Sequence, residues 1–166
     1  MNSISVFGLG YVGCVSAACL ASRGHRVVGV DVNPDKMSAL RQGRSPIVEA
    51  EIGDLTAAVV AAGNLVVTSD AHEAVLATDV SLICVGTPSA AGGALLTRYL
   101  EEVTAEIGAA LRDKDGWHVV VYRSTMVPGT CEGLLIPLLE DASGKRAGVD
   151  FGVCVNPEFL REGTSV

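Results

Sequence analysis

The strongest constraint on the fold is a glycine-rich segment near the N-terminus. Gly8-Leu9-Gly10-Tyr11-Val12-Gly13 directly follows the apolar run 3–7 and opens a stretch with helical character. A G-x-G-x-x-G turn in this position joins a parallel strand to a helix and brings the helix N-terminus toward a pyrophosphate. The hexad therefore predicts a dinucleotide-binding turn, and a glycine turn of purely structural use is the alternative.

Short runs rich in valine and isoleucine alternate with helical patterns along the chain. The strand-like runs are 3–7, 26–30, 65–68, 80–85, 118–122 and 151–155. The helical patterns run from Val12 to Gly24, from Pro34 to Gly43, over about 49–62, shortly after Ser69-Asp70, and over 97–112 and 129–139. Continuous apolar strands are typical of parallel sheets covered on both faces. The order predicts an α/β fold, a Rossmann-type doubly wound sheet of six parallel strands with helices on both faces.

Length and charge limit the partners. The 166 residues suit one packed domain, with 49% of them hydrophobic. Nineteen acidic and 12 basic residues give a net charge of −7, and no basic cluster would neutralise a run of phosphates, so we expect no nucleic-acid partner. No apolar run has the length of a membrane span, and Met1-Asn2-Ser3 lacks a basic signal-peptide region. We therefore expect a cytoplasmic protein without membrane association.

The residue at the end of the second strand indicates the cofactor. Asp31 follows Gly13 at about the 20-residue spacing at which a carboxylate binds the adenosine ribose. Its charge would repel the 2′-phosphate of NADP, and Val32-Asn33 supplies no arginine to bind one. The residues therefore predict NAD as the cofactor, bound through Gly8, Gly10, Gly13 and Asp31.

The cysteines and histidines suggest no site of their own. The five cysteines contain no C-x-x-C pair, and Cys84 and Cys154 fall in predicted strands with no histidine placed to activate them. We expect both to be core residues rather than nucleophiles. The three histidines are scattered without ligand spacing, so we expect no metal site.

Polar segments follow the last three predicted strands. Gly86-Thr87-Pro88 follows the fourth strand, Arg123-Ser124-Thr125 the fifth, and residues 156–163 the sixth. Carboxyl ends of parallel strands meet at one edge of the sheet, where such folds bind ligands. These loops are therefore expected to line the nicotinamide side of a cleft. The alternative is that Thr87 and Ser124 are ordinary turn and cap residues.

Two carboxylates in the last segment are candidates for acid–base chemistry. Glu158 and Glu162 are four residues apart and share a face if the segment is helical. A carboxylate at the mouth of a dinucleotide site can act as a general base. The alternative is a solvated helix start.

Together these motifs resemble those of the nucleotide-sugar 6-dehydrogenases, which include UDP-glucose and GDP-mannose dehydrogenases. The resemblance covers the whole chain in order. The residues that carry it are Gly8-Leu9-Gly10-Tyr11-Val12-Gly13, Val30-Asp31-Val32-Asn33 with Lys36, Val85-Gly86-Thr87-Pro88-Ser89, Arg123-Ser124-Thr125 with Pro128-Gly129-Thr130, and Asn156-Pro157-Glu158-Phe159-Leu160-Arg161-Glu162-Gly163. Gly86-Thr87-Pro88-Ser89 and residues 140–153 look most like the members that act on GDP-mannose for alginate synthesis.

The resemblance implies a role for each matching residue. The residues implied to contact NAD are Tyr11, Val12, Asp31, Lys36, Thr87 and Thr125. Those implied to contact the sugar nucleotide are Glu158, Phe159, Leu160, Arg161 and Glu162, with Glu158 assisting acid–base catalysis. The family oxidises the C6 alcohol of a nucleotide sugar to a carboxylate with two NAD, through a thioester on a cysteine.

The resemblance also implies a domain organisation. Residues 1–155 form the NAD-binding domain, and residues 156–166 begin a substrate-contacting segment that leads to a second domain. None of the five cysteines matches the family's catalytic cysteine, so we expect the 166-residue chain alone to be inactive. The parent protein is expected to be a homo-oligomer that uses GDP-mannose. The alternatives are a UDP-glucose 6-dehydrogenase and an NAD-sensing module without catalytic activity.

Overall fold

One parallel sheet forms the centre of the molecule. The computed structural model describes residues 2–49, 51–89, 93 and 95–163. Its strands are β1 (Ser3–Phe7), β2 (Arg26–Val30), β3 (Leu65–Thr68), β4 (Val80–Ile83), β5 (Val119–Tyr122) and β6 (Gly152–Val155). All neighbouring strands pair in parallel, in the order β3-β2-β1-β4-β5-β6. The predicted Rossmann-type α/β fold is confirmed.

The helices lie close to the predicted positions. They are α1 (Tyr11–Ser22), α2 (Pro34–Arg41), α3 (Ile52–Ala61), α4 (Ala71–Leu76), α5 (Arg98–Asp113) and α6 (Ile136–Ser143). The third helix begins later than predicted, and residue 50 of its predicted range lies outside the described residues. The prediction for the last helix was wrong at both ends: a π-helical turn, Cys131–Leu135, leads into α6, which ends at the left-handed Gly144. Pro137 has no N–H to continue regular pairing, which favours the wider turn before it.

Each face of the sheet packs against its own set of helices. Helices α4, α5 and α6 cover the face that carries Phe7, Ile83 and Tyr122. Helices α1, α2 and α3 cover the opposite face, where Ile4 and Val6 are buried. This two-sided burial explains why the strands are almost continuously apolar.

The α1–α3 layer lies over β1, β2 and β3, and β6 is an edge strand of the sheet. Cys154 on β6 is consequently exposed. The prediction of a core position for Cys154 was wrong, because an apolar run cannot show that a strand lies at an edge. Cys84 directly follows β4, which ends at Ile83 and not at residue 85 as predicted; its side chain is mostly covered, in agreement with the prediction.

A buried polar network lies near the amino-terminal ends of β1, β4 and β5. Ser5 on β1 pairs in register with Ser81 on β4, and their hydroxyl oxygens are 2.8 Å apart. The Ser81 hydroxyl is 2.8 Å from Nε2 of His118, whose Nδ1 is 3.0 Å from the Thr78 carbonyl oxygen. The Lys114 ammonium donates to that same carbonyl at 2.7 Å. The network is at the end of the sheet opposite the glycine turn.

The strand order creates a crevice at the carboxyl edge. The chain first moves outward from β1 to β3 and then returns to place β4 on the other side of β1. The loops after β1 and β4 therefore diverge, and ligands of doubly wound sheets bind between them. Within the described residues, no helix is long and apolar enough to cross a membrane.

Candidate cofactor-binding site

The glycine turn contains two glycines that the protein itself requires. Gly8 has φ of +86°, and its N–H donates to the Val30 carbonyl at 2.8 Å. A Cβ on Gly13 would be 1.9 Å from the Gly8 carbonyl oxygen. Any side chain at either position would strain or displace the turn, because one needs a left-handed backbone and the other a close approach.

Gly10 is different, since the protein provides no internal reason for a glycine there. Its φ is −78°, and a Cβ built on it meets no other atom within 4 Å. Gly10 is the N-cap of α1 and, having no side chain, it cannot cap the N–H groups of the first turn. The open space and these donors fit a pyrophosphate lying against the backbone, as the sequence predicts for NAD.

Asp31 connects the glycine turn to the end of β2. Its side chain is only 9% exposed; Oδ2 accepts from Leu9 N–H at 2.7 Å, and Oδ1 accepts from Asn33 N–H at 2.8 Å. The Lys36 ammonium is 3.5 Å from Oδ2. A carboxylate has about four lone-pair positions, so Asp31 can still accept hydrogen bonds from a ribose.

A cavity of about 420 Å³ lies between the glycine turn, the end of β2 and the loop after β4. Of the residues predicted to contact cofactor, Gly8, Gly10, Asp31 and Lys36 line it. Tyr11 and Val12 are in the adjoining first turn of α1. The structure therefore brings the predicted ribose and pyrophosphate contacts to one cavity.

Helix α5 contributes a wall that the sequence reasoning missed. Tyr99, Glu102, Val103 and Glu106 line the same cavity, together with Ser69 after β3. The α5 residues have the i, i+3, i+4, i+7 spacing of one helix face. That pattern is present in the sequence, but the sequence does not tell which side of the sheet the helix packs against.

The loops after β4 and β5 are tied to each other. The Thr87 hydroxyl donates to the Thr125 carbonyl at 2.9 Å, and the Ser124 hydroxyl donates to the Val85 carbonyl at 2.5 Å. The hydroxyls of Thr87 and Ser124 thus serve as turn-fixing groups, and the Thr125 side chain is exposed. Thr87 and Thr125 lie together, but neither is among the residues that line the cavity, and their contact with NAD stays a prediction.

The C-terminal segment, residues 156–163, contains no helix. The condition under which Glu158 and Glu162 share a helical face is therefore not met. Asn156 accepts from Arg123 Nη1 at 2.6 Å, and the Glu158 carboxylate accepts from Leu160 N–H, which folds the backbone into a local turn. Leu160 packs against apolar residues of α1 and α3. Residues 164–166 of the predicted segment lie outside the described residues.

The side chains of the C-terminal segment differ in their exposure to solvent. Phe159 is 89% exposed, and Arg161 and Glu162 are also exposed. Glu158 is partly covered, and its charge adds to burial, the main cause, in raising the pKa of the Cys84 thiol just after β4.

Burial keeps the inner thiols protonated. Desolvation raises the pKa of Cys14 and of Cys84 to about 12, and it also raises the pKa values of Cys19 and Cys131. A thiol must ionise to act as a nucleophile, so these four are unsuited to that role at neutral pH. The described residues also contain no group of three or more His, Cys, Asp or Glu side chains suited to a metal ion.

We predict that the domain binds NAD at least about 10-fold more tightly than NADP, because the Asp31 carboxylate repels a 2′-phosphate. Titration of each dinucleotide, followed by calorimetry, measures the ratio. Asp31→Ala should weaken NAD binding and reduce the difference between the NAD and NADP affinities. Asp31→Asn keeps an acceptor for Leu9 N–H, so it distinguishes the effect of the negative charge from the effect of the hydrogen bond to the glycine turn. Equal affinities in the unaltered domain would contradict the assignment of Asp31.

Comparisons with known proteins agree with this geometry. A family model described as UDP-glucose/GDP-mannose dehydrogenase family, NAD binding domain, matches residues 2–166. The chain is 57% identical over 163 residues to a GDP-mannose 6-dehydrogenase of Azotobacter vinelandii, which covers 98% of the chain and 37% of that relative. The chain thus spans little more than a third of the relative's length.

Two solved structures are similar over nearly the whole chain. The ternary complex of a GDP-mannose dehydrogenase from Pseudomonas aeruginosa has a TM-score of 0.97 and 55% identity, covering 99% of this chain and 38% of that one. A UDP-glucose dehydrogenase from Pyrobaculum islandicum has a TM-score of 0.93 and 46% identity, with coverages of 99% and 38%. The glycine turn, the cavity and these matches together show that the chain belongs to the UDP-glucose/GDP-mannose dehydrogenase family and is an NAD-binding domain of it.

Proposed function

We propose that this domain serves a GDP-mannose 6-dehydrogenase, an enzyme that oxidises the C6 alcohol of GDP-mannose to a carboxylate. The observation that carries the proposal is the identity of 57% to a GDP-mannose 6-dehydrogenase, against 46% to the UDP-glucose dehydrogenase structure. UDP-glucose is the second candidate substrate, because the family includes enzymes for both sugar nucleotides.

The residues of this chain divide the work between cofactor and substrate. Gly10 and the first turn of α1 receive the pyrophosphate, and Asp31 with Lys36 binds the adenosine ribose. Thr87 and Thr125 contact the nicotinamide side, with Tyr11 and Val12 at the start of α1. Bound NAD supplies the hydride acceptor.

The C-terminal segment presents its residues to the sugar nucleotide. The segment contributes Glu158, Phe159, Leu160, Arg161 and Glu162 to this contact. Glu158 is partly covered, lies near the end of β4, and is the group we assign to acid–base chemistry at the C6 oxygen. The hydrogen bond from Leu160 N–H fixes the Glu158 carboxylate within the segment's own turn.

The complete reaction needs more than an acid–base group. Conversion of a primary alcohol to a carboxylate consumes one water and releases two hydrides and three protons. A cysteine that holds the aldehyde as a thiohemiacetal allows the second hydride to leave, and a water then hydrolyses the thioester. The raised pKa values of Cys14, Cys19, Cys84 and Cys131 make these thiols poor candidates for that step.

We predict that the 166-residue chain binds NAD but produces no NADH with GDP-mannose or UDP-glucose. The hexose would be held by the C-terminal segment on one side only, which does not give a near-attack geometry. Absorbance at the NADH band, with saturating NAD, measures the rate. Steady NADH formation that disappears in Glu158→Gln would show that this chain carries a complete site.

The proposed function itself is tested with the complete gene product. We expect two NADH per GDP-mannose and a higher kcat/KM for GDP-mannose than for UDP-glucose. Preference for UDP-glucose would assign the second candidate substrate. NAD binding with no turnover of either sugar nucleotide would contradict the proposal and favour an NAD-sensing module. The cytoplasmic location and the homo-oligomeric state stay predictions.

A further inference from the structure

A hydrogen-bonded cluster outside the cavity joins three distant parts of the chain. Tyr11 is in the first turn of α1, Glu49 is in the α2–α3 loop (residues 42–51), and Gly163 is at the end of the C-terminal segment. The Tyr11 hydroxyl donates to Oε2 of Glu49, and Gly163 N–H donates to the same oxygen at 2.7 Å. Gly163 N–H is also 3.2 Å from the Tyr11 hydroxyl oxygen.

We propose that Glu49 is a positioning residue for the substrate, because it fixes the C-terminal segment to the helix turn that borders the cofactor. This proposal rests on the proposed function, in which that segment contacts the sugar nucleotide. Glu49 itself would touch neither ligand. It acts through the Gly163 backbone, one residue beyond Glu162.

The α2–α3 loop is well suited to serve as an anchor. Ile47 packs among apolar residues of α1 and α3, and its N–H and carbonyl both bond to the Ser45 hydroxyl, at 3.2 and 2.9 Å. The loop is therefore held by apolar packing and a local turn just before Glu49. A carboxylate on a loop held in this way can keep the C-terminal segment in a fixed position.

The C-terminal segment is attached at three successive points. Its first residue, Asn156, is bonded to Arg123, and Leu160 is packed against α1 and α3. The third point is the end of the segment, where Gly163 N–H donates to Glu49 and the Arg161 carbonyl accepts from the Tyr11 hydroxyl at 3.4 Å. Loss of Glu49 removes the charged acceptor of Gly163 N–H and leaves the longer contacts of the Tyr11 hydroxyl, to Gly163 N–H at 3.2 Å and to the Arg161 carbonyl at 3.4 Å. Residues 161–163 should therefore loosen while the first two attachments stay, so the effect is local.

The carboxylate also connects the segment to the cofactor side. Tyr11 directly follows Gly10, where the pyrophosphate would lie, and its hydroxyl is bonded to Glu49. The residue that anchors the segment thus lies against the turn that holds the cofactor. Glu49 thereby sets the distance between the cofactor-binding turn and the C-terminal segment, although it belongs to neither.

Amide hydrogen exchange on the 166-residue chain tests the anchoring directly. Glu49→Ala should accelerate exchange at residues 161–163 by about 10-fold, because a hydrogen bond to a charged acceptor is lost. Glu49→Gln should give a smaller acceleration, since a single amide oxygen can still accept from both donors. Glu51→Gln is the matched control: Glu51 is in the same loop, is exposed, and makes no cap hydrogen bond to α3. It should leave exchange unchanged.

Kinetics of the complete gene product test the positioning role. In Glu49→Ala the KM for GDP-mannose should rise about 10-fold, while the NAD dissociation constant changes less than about 3-fold. Unchanged exchange at residues 161–163, or an equal loss of NAD and sugar-nucleotide affinity, would overturn the proposal. Absence of turnover in the unaltered enzyme would instead contradict the proposed function, and the exchange result would then decide alone whether Glu49 anchors the segment.

Discussion

Gly10→Val is expected to weaken NAD binding by at least about 100-fold while the domain remains folded. The structure leaves open space around a Cβ at this position, and the Gly10 backbone has no need for a left-handed conformation. The added side chain would therefore occupy the volume in which the pyrophosphate must approach the backbone. Calorimetric titration with NAD measures the affinity, and circular dichroism with thermal unfolding measures the fold.

Gly13→Ala provides the contrast that makes this result interpretable. A Cβ at Gly13 would be 1.9 Å from the Gly8 carbonyl oxygen, so this smaller substitution should lower the thermal stability of the domain. Gly10→Val should unfold within a few degrees of the unaltered domain. If Gly10→Val folded normally and still bound NAD, the glycine turn would be only a structural turn. If Gly10→Val unfolded, a side chain at this position would clash within the protein itself, which would contradict the open space around Gly10.

Much of the fold could be predicted because the signals are local. The hexad specifies a tight turn and a close helix–strand contact, and the valine-rich runs specify strands buried on two faces. The turn residue Asn33 shows the same consistency, since its side chain accepts from Asp35 N–H and Lys36 N–H at the start of α2. These features depend on neighbours in sequence, so the sequence alone is enough to find them.

The features that were missed depend on which strands and helices become neighbours. Ser5 and Ser81 meet only because β1 and β4 pair in one register, so a reading of scattered polar residues could not place His118 in a network. The exposure of Cys154 follows from the edge position of β6. Glu49 gave no sequence signal, because its two partners are 38 and 114 residues away.

The parts of the site that a short stretch of sequence specifies could be predicted. The glycine turn and Asp31 were found from their spacing, and the structure places them around one cavity. The wall from α5 and the turn in the C-terminal segment were not found. Both depend on which helices and segments pack against each other. A single sequence does not show these contacts.

The second large effect that we expect is a loss of stability in mild acid, and its cause is the buried hydrogen-bond network around His118. His118 is fully buried; its Nδ1 is 3.0 Å from the Thr78 carbonyl, and its Nε2 is 2.8 Å from the Ser81 hydroxyl. Burial and, to a smaller extent, the Lys114 ammonium beside the same carbonyl lower the pKa of His118 to about 4, although the hydrogen bond to Thr78 and the charge of Asp79 act in the opposite direction. The imidazole is therefore neutral in the folded protein at neutral pH.

The direction of the pH effect follows from the two pKa values. In the unfolded chain a histidine has a pKa near 6.5, so between about pH 6.5 and pH 4 the unfolded state binds a proton that the folded state does not. As the pH is lowered across this interval, the free energy of unfolding should fall by about 3 kcal/mol. Above about pH 6.5 the stability linked to the neutral His118 imidazole should be fully present. Urea unfolding at a series of pH values measures the slope.

Variants and a direct titration separate His118 from the other groups that titrate in acid. His118→Gln removes the titration, so its stability should change less steeply between pH 6.5 and pH 4 than that of the unaltered domain. His25→Gln, which alters a histidine outside the network, is the control for the loss of a histidine elsewhere in the domain. The proton resonances of His118 should titrate below about pH 5 in the folded state, even if His118→Gln is too unstable to analyse. A His118 titration near 6.5, or parallel stability curves for the unaltered domain and His118→Gln, would show that charging this imidazole does not drive unfolding, because the network would then accommodate the cation beside Lys114.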